Sequence, residues 1–257
     1  AGCNAGGVAD YVFSALYGCA ARKSIELSGK TIGIVGVGHV GRRVESMAHA
    51  LGLKVLRCDP PRAAAEGPAQ FCDLDFLLAQ SDIVTVHVPL LDNTRRMCDA
   101  AFFEKMKYGS IFINTSRGQV VEDKALKDAR EKLSAIIIDV WSNEPNIDRE
   151  LLSLADIATP HIAGYSLQGK INGTLMSVRT LARYFSIKEL FDFFPSEKIE
   201  GSDAVHVSIT GMNQGQIASI FQYNYPVFTD DFMFRMNPED FDWLRKNYNY
   251  RREFIID

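Results

Sequence analysis

No stretch of this 257-residue chain approaches the roughly eighteen consecutive apolar residues that a membrane-crossing helix needs. Positive charge is scarce too: 28 lysines and arginines face 32 acidic residues. The net charge of −4 offers no basic field to nucleic acid or to an acidic membrane, so neither is an expected partner. The five cysteines, Cys3, Cys19, Cys58, Cys72 and Cys98, are odd in number and form no C-x-x-C, and no histidines cluster near them. Reduced thiols in a cytosolic core are expected, and no metal. Internal repeats, low-complexity tracts and long Gly/Ser linkers are missing, and the only rigid punctuation is Pro60-Pro61. The opening A-G-C-N-A has neither an initiator methionine nor the regions of a signal peptide. It reads as a cytoplasmic protein whose beginning lies upstream.

The residues that are present are organised around Lys30–Asp59. An apolar strand, Thr31 to Val35, runs into Gly36, Gly38 and Gly41, and the following helix carries Val40, Val44, Met47, Ala48 and Leu51 on one face. Three glycines at this spacing are weak evidence alone; the strand before, the helix after and the acid beyond give them meaning. Gly36 suits a tight turn, Gly38 a close approach of backbone to a pyrophosphate, and Gly41 close packing of helix on strand. His39 and Val40 open that helix, His39 contributing its backbone N–H. Asp59 ends the next strand, where a carboxylate accepts both hydroxyls of an adenosine ribose and repels a 2′-phosphate, which favours NAD over NADP. Arg62, close to that acid, is the residue that argues for NADP.

With 47% hydrophobic residues the chain can bury a large core, divided into a main domain and a smaller one. A first segment, Val8, Tyr11, Val12, Ala15 and Leu16, has helical spacing. Strands follow at Thr31–Val35, Lys54–Cys58, Ile83–Val88, Ser110–Asn114, Ala135–Asp139 and Asp156–Thr159. Six strands with helices or loops between them imply an α/β fold, a doubly wound parallel sheet of the Rossmann kind. Their carboxyl ends share one edge, which gathers Gly36, Asp59, His87, Thr115 to Arg117, Asp139 and His161. A helix with Ile171, Leu175, Val178, Ala182 and Phe185 on one face comes next. Beyond about Glu189 an aromatic-rich tail reads as strand, helix, helix, strand: Ala204–Ile209, near Gln214–Phe221, Pro238–Tyr248 and Phe254–Ile256. Some seventy residues bury little surface alone, so the tail is expected to pack on another domain or subunit.

Three further segments put ionisable groups on the sheet edge: N-T-S-R-G at 114–118, D-V-W-S-N-E-P at 139–145 and T-P-H-I-A-G-Y at 159–165. Arg117 can hold a substrate carboxylate bidentately beside a carbonyl oxygen. Glu144 and His161 can form a carboxylate-oriented imidazole. Taken singly, the arginine reads as a surface or capping residue and the histidine as a turn residue; together on one cofactor edge they read as a site.

These segments, with G-V-G-H-V-G and the H-V-P-L at 87–90, resemble the D-2-hydroxyacid dehydrogenase family over nearly all of residues 1–186. The A-G-Y after the histidine and the tail F-D-W-L-R-K-N-Y-N-Y-R-R-E-F resemble one branch of it, which carries an extra C-terminal dimerisation domain, acts on a phosphorylated 2-hydroxy acid and serves pyridoxal 5′-phosphate synthesis. The resemblance implies Arg117 as substrate-carboxylate arginine, Glu144 as orienting glutamate and His161 as acid/base. It also implies Asp139 at the nicotinamide carboxamide, Gly164 as a backbone contact to the cofactor, Tyr165 on the substrate and Asp59 on the ribose. His87 is not the family's base and reads as a strand-end packing residue. Family members begin with a segment of roughly ninety residues, the scale of half a substrate domain, which this chain lacks. The implied plan is residues 1–22 as a crossover helix of a partial substrate domain, 23–163 as the NAD-binding domain, 164–189 as a return helix and 190–257 as a small α+β dimerisation domain, giving a homodimer.

Two rivals stand beside this reading: another family enzyme, such as one acting on phosphoglycerate, and a non-catalytic NAD-sensing scaffold. The basic set Arg245, Lys246, Arg251 and Arg252 reads as a solvated helix face, or, at its most specific, as the source of one arginine that crosses a dimer to meet the substrate phosphate. The aromatic group Phe221, Tyr223, Tyr225, Phe228, Phe232 and Phe234 reads as core or interface.

Overall fold

The computed structural model describes residues 2–194 and 203–256; residues 195–202, within the expected C-terminal domain, lie outside it. The apolar runs form β1 (Thr31–Val35), β2 (Lys54–Cys58), β3 (Ile83–Val86), β4 (Ile111–Asn114), β5 (Ala135–Ile138) and β6 (Ile157–Ala158). They pair in parallel in the order β2-β1-β3-β4-β5-β6. β3 to β5 are buried at every residue, as strands covered on both faces must be, whereas the edge strand β2 is only partly covered. The order reverses between β1 and β3, and a crevice opens there at the carboxyl ends. Four expected strands are shorter at one or both ends. The ladder stops at Val86, Ile138 and Ala158, which frees His87, Asp139 and Thr159 to turn into loops.

Helices connect the strands: α1 (Ala5–Lys23) ahead of β1, then α2 (His39–Ala50), α3 (Pro60–Glu66), α4 (Leu74–Gln80), α5 (Ala100–Lys105), α6 (Asp123–Asp128) and α7 (Arg149–Leu154). The α1 helix is buried on all sides from Gly7 to Ala20. It is a core element, with α2 on one flank and the C-terminal unit on another. No described helix is long and apolar enough to cross a membrane. The return helix α8 (Leu167–Tyr184) starts at an N-cap where Ser166 Oγ accepts from the Gly169 N–H. It buries Leu175 and Ala182, but Phe185, expected on that face, is 65% exposed just past its end.

The tail forms β7 (Val205–Val207), α9 (Gln214–Asn224), α10 (Val227–Met236), α11 (Phe241–Lys246) and β8 (Phe254–Ile256), with β7 and β8 parallel. The sequence reading missed α10, and the helix expected over 238–248 reduces to a 3-10 turn followed by α11. The aromatic group splits: Phe221, Tyr225 and Phe234 are fully buried, whereas Tyr223 and Phe232 face outward.

α10 closes the sheet. Its Asp231 carboxylate accepts from the Ala158 N–H of the edge strand at 2.7 Å and from Arg235 Nε, while both Nη groups of Arg235 donate to carbonyls of Leu152 and Ala155. An otherwise open edge is thereby covered. Behind α10, Arg251 donates to Tyr248 Oη, and Tyr248 donates to Asp230 Oδ2. Burial pushes the Asp230 carboxyl from the ordinary 3.8 up to about 6, against the nearby positive charge of Arg251. Between those values the folded chain holds a proton that the unfolded chain releases, so this group's contribution to stability falls as pH rises through that window. Denaturant titrations from about pH 4 to 7 are expected to show Asp230→Asn gaining on the parent chain as pH rises through this range. A constant difference between the two would contradict the buried placement.

Candidate active site

The glycine turn separates into packing and approach positions. Gly36 has φ +89°, open to glycine at no steric cost, and a Cβ there would also press on the His87 carbonyl. A Cβ at Gly41 would lie 2.2 Å from the Gly36 carbonyl oxygen, so only glycine lets α2 sit this close to β1. Gly38 differs: a Cβ would meet nothing within 4 Å, and as N-cap of α2 it offers no side chain to the helix's first N–H groups. Open space in front of uncapped N–H groups suits the pyrophosphate of a dinucleotide.

Asp59 stands at the end of β2 with Oδ2 accepting from the Val37 N–H at 2.7 Å and Oδ1 capping α3 through the Arg62 N–H. It couples the end of β2 to the glycine turn. Arg62, the residue that argued for a 2′-phosphate, is turned away from that task. Its guanidinium is forked onto Glu66 at 2.7 and 2.6 Å and donates to the Val37 carbonyl.

A cleft of about 500 Å³ leads from the glycine turn to Arg117, lined by His39, His87, Val88, Pro89, Leu90, Ser116 and Arg117. His87 is held between Thr85 Oγ1 at 2.9 Å and Thr115 Oγ1 at 3.3 Å, and burial lowers its ring to about 3, so it remains neutral at any physiological pH. The turn bearing Arg117 is shaped by Asn114, whose side chain accepts from Ser116 and donates to the Arg117 carbonyl. Arg117 itself is exposed. Gly118 packs on the next strand end: a Cβ would fall 1.9 Å from the Trp141 carbonyl carbon, and Gln119 Nε2 donates to the Ser142 carbonyl. Arg117 is thus anchored beside the loop that carries Glu144.

His161 and Glu144 meet at 2.8 Å between Nδ1 and Oε2. Burial would raise the Glu144 carboxyl, but the His161 hydrogen bond and charge, the Trp141 N–H and Arg245 hold it below the usual value. An ionised Glu144 only accepts, so Nδ1 carries the proton and Nε2 is left as a base. The backbone of His161 is left-handed, φ +58°, a conformation that costs a side chain about 1–3 kcal/mol unless its surroundings hold it. They do. Its N–H donates to the Asp139 carbonyl at 2.7 Å, and the Asp139 carboxylate accepts from the Ile162 and Ala163 N–H groups at 2.8 and 3.0 Å. Thr159 donates to the same carboxylate and accepts from Tyr11 of α1.

Asp139, assigned to a nicotinamide carboxamide in the sequence reading, is 1% exposed and faces this turn. Gly164, assigned as a cofactor contact, packs under the side chain of Asn4. Sequence reasoning did not find the supports contributed by the tail. Arg251 Nη2 donates to the Ala163 carbonyl, the Glu253 carboxylate accepts from Ser166 Oγ and the Gly7 N–H, and Arg245 Nε donates to the His161 carbonyl. The expected solvated helix face is therefore corrected. Arg251 and Arg252 lie beyond α11, and Arg251 has its guanidinium 3.0 Å from the Tyr225 ring centroid.

A family model described as "D-isomer specific 2-hydroxyacid dehydrogenase, NAD binding domain" matches residues 15–163, more than half of the chain. The chain belongs to the D-isomer specific 2-hydroxyacid dehydrogenases. A second model, described as a domain of unknown function, matches residues 201–256. Erythronate-4-phosphate dehydrogenase of Pseudoalteromonas atlantica is 38% identical over 267 residues, covering 99% of this chain and 70% of that protein. The enzyme of that name from Escherichia coli O157:H7 is 39% identical, covering 98% and 69%. Among solved structures, D-lactate dehydrogenase from Aquifex aeolicus, complexed with NAD and lactic acid, aligns with TM-score 0.61 at 27% identity over 75% of this chain and 71% of that one. This dehydrogenase is NAD-dependent, and its glycine turn, α2 N-terminus and Asp59 fit that cofactor.

The glycines give opposite expectations. Gly118→Ala forces backbone apart at Trp141 and is expected to cost about 1–3 kcal/mol, read as a lowered Tm. Gly38→Ala meets open space, so Tm is expected to hold while NADH affinity in calorimetry falls. Equal effects on Tm would contradict the division.

Proposed function

We propose that this dehydrogenase oxidises 4-phospho-D-erythronate at C2 to 2-oxo-3-hydroxy-4-phosphobutanoate, a step of pyridoxal 5′-phosphate synthesis. The observation that carries the reading is the His161–Glu144 pair in the same turn as Tyr165, in a chain similar along nearly its whole length to enzymes named for that substrate. NAD, when bound, supplies the acceptor for the hydrogen and electron pair leaving C2. Arg117 pairs with the C1 carboxylate and polarises the C2 oxygen. His161 Nε2 takes the hydroxyl proton as the carbonyl forms, and Glu144 stabilises the resulting imidazolium through Nδ1. Tyr165 contacts the substrate, Asp59 accepts the ribose hydroxyls, and Gly36, Gly38, His39, Val40 and Gly41 line the pyrophosphate. Asp139 keeps the His161 turn in register. Asp139 and Gly164 contribute to cofactor binding through the turn they shape.

The same proposal takes the C-terminal unit as a dimerisation domain. Phe232, Met236 and Trp243, at 60%, 61% and 60% exposure, supply an apolar surface that favours a partner copy. The protein is read as cytoplasmic.

The direct test is NADH formation with a panel of 2-hydroxy acids. 4-Phospho-D-erythronate is expected to be preferred over 3-phosphoglycerate and D-lactate; equal rates, or none, would contradict the proposal. His161→Asn is expected to lower turnover by about 10²- to 10⁴-fold with NADH affinity retained. Near-normal turnover would remove His161 from its role. Asp59→Ala is expected to narrow the preference for NAD over NADP, and an unchanged ratio would show that another group reads the ribose.

A further inference from the structure

A cation from the tail reaches the site within its own chain. Arg245, in α11, donates from Nε to the His161 carbonyl at 3.3 Å, and its guanidinium lies 5.9 Å from the Tyr165 ring centroid and 5.6 Å from that of Phe241. It is close enough to the Glu144–His161 pair to depress the Glu144 carboxyl. That one hydrogen bond leaves both Nη groups available. Arg57, Arg62 and Arg235 are paired with Glu45, Glu66 and Asp231, whereas the partly buried Arg179 and Arg251 use carbonyl or hydroxyl partners. Among the described residues Arg245 has no such carboxylate.

A second cation lies against the other ring of a tyrosine pair. Tyr165 stacks on Tyr250 at 5.7 Å and 23°, and Lys170 lies 5.3 Å from the Tyr250 ring centroid, its Nζ 3.5 Å from the hydroxyl. Lys170, too, forms no ion pair among the described residues. A guanidinium and an ammonium without a salt bridge, flanking two tyrosines next to the His161 turn, make a locus that accepts an anion.

We propose that Arg245, with Lys170 and the Tyr165–Tyr250 pair, forms an anion subsite that receives the phosphate of the substrate in the same chain as His161. This rests on the function proposed above and adds what sets its preference for a phosphorylated acid. It replaces the expectation that a tail arginine crosses a dimer. Of the alternatives, Arg251 is committed to Ala163 and Tyr248, and Arg252 to the Asp203 carbonyl.

The test compares 4-phospho-D-erythronate with D-erythronate in the intact enzyme, together with calorimetric titration of inorganic phosphate. Arg245→Ala is expected to lower the ratio of the two kcat/KM values by about 10- to 100-fold, the loss of one charge-assisted hydrogen-bonded contact, and to weaken phosphate binding by a similar factor. Arg245→Lys is expected to fall between, and Lys170→Ala to lower the ratio less. Lys246→Ala, an exposed neighbour on the same helix, is expected to leave the ratio as it is. A ratio and a phosphate affinity both unchanged in folded Arg245→Ala and Arg245→Lys would overturn the subsite. So would equal losses on both substrates, which would leave Arg245 only its support of the His161 turn. If the parent enzyme oxidises neither acid, the proposed function fails, and the phosphate titration still decides the subsite.

Discussion

The site depends on one buried carboxylate. Asp139 lies just past the end of β5, and through its backbone carbonyl and both side-chain oxygens it holds three consecutive N–H groups, those of His161, Ile162 and Ala163. Burial alone raises this carboxyl; the His161 charge and the surrounding donors pull against that. A buried acid with so many donors sits in a low-dielectric setting where each bond is strong and each lost bond is costly. The left-handed backbone of His161 is what this arrangement supports. Thr159 and Tyr11 carry the constraint into α1, so the core helix and the turn are parts of one hydrogen-bonded unit.

The C-terminal unit braces the same turn from the opposite side. Arg251 holds the Ala163 carbonyl, Arg245 the His161 carbonyl, and Glu253 ties Ser166 to Gly7 of α1. Asp231 meanwhile satisfies the edge strand at Ala158. Covering the sheet edge and shaping the site are thus performed by one segment, and a change of packing in the tail reaches His161 through two hydrogen bonds to its turn.

The parts legible in the sequence were those written in local pattern. Glycine spacing between a strand and a helix gave the turn, and apolar runs with short connections gave all six strands and their shared edge. Strand ends were overdrawn because the residues that leave a ladder, such as His87 and Thr159, are as compatible with a strand as those within it. The α1 helix was found only in part, since a helix buried on every side has little amphipathic contrast. α10 was missed because its aromatics fall on both the buried and the exposed faces, and so blur the period. Arg245 and Arg251 reach their partners across 84 and 88 residues. No spacing rule encodes such a contact. Asp139 was placed on the sheet edge correctly by pattern, but the direction of its carboxylate depends on a turn 23 and 24 residues later.

The central claim is that His161 handles only the hydroxyl proton while the C2 hydrogen leaves with its electrons. 4-Phospho-D-erythronate carrying deuterium at C2 tests this directly. The account predicts that the label appears in the reduced nicotinamide, with none exchanged into water. Deuterium recovered in the solvent would show that the C2 hydrogen departs as a proton, and would contradict it.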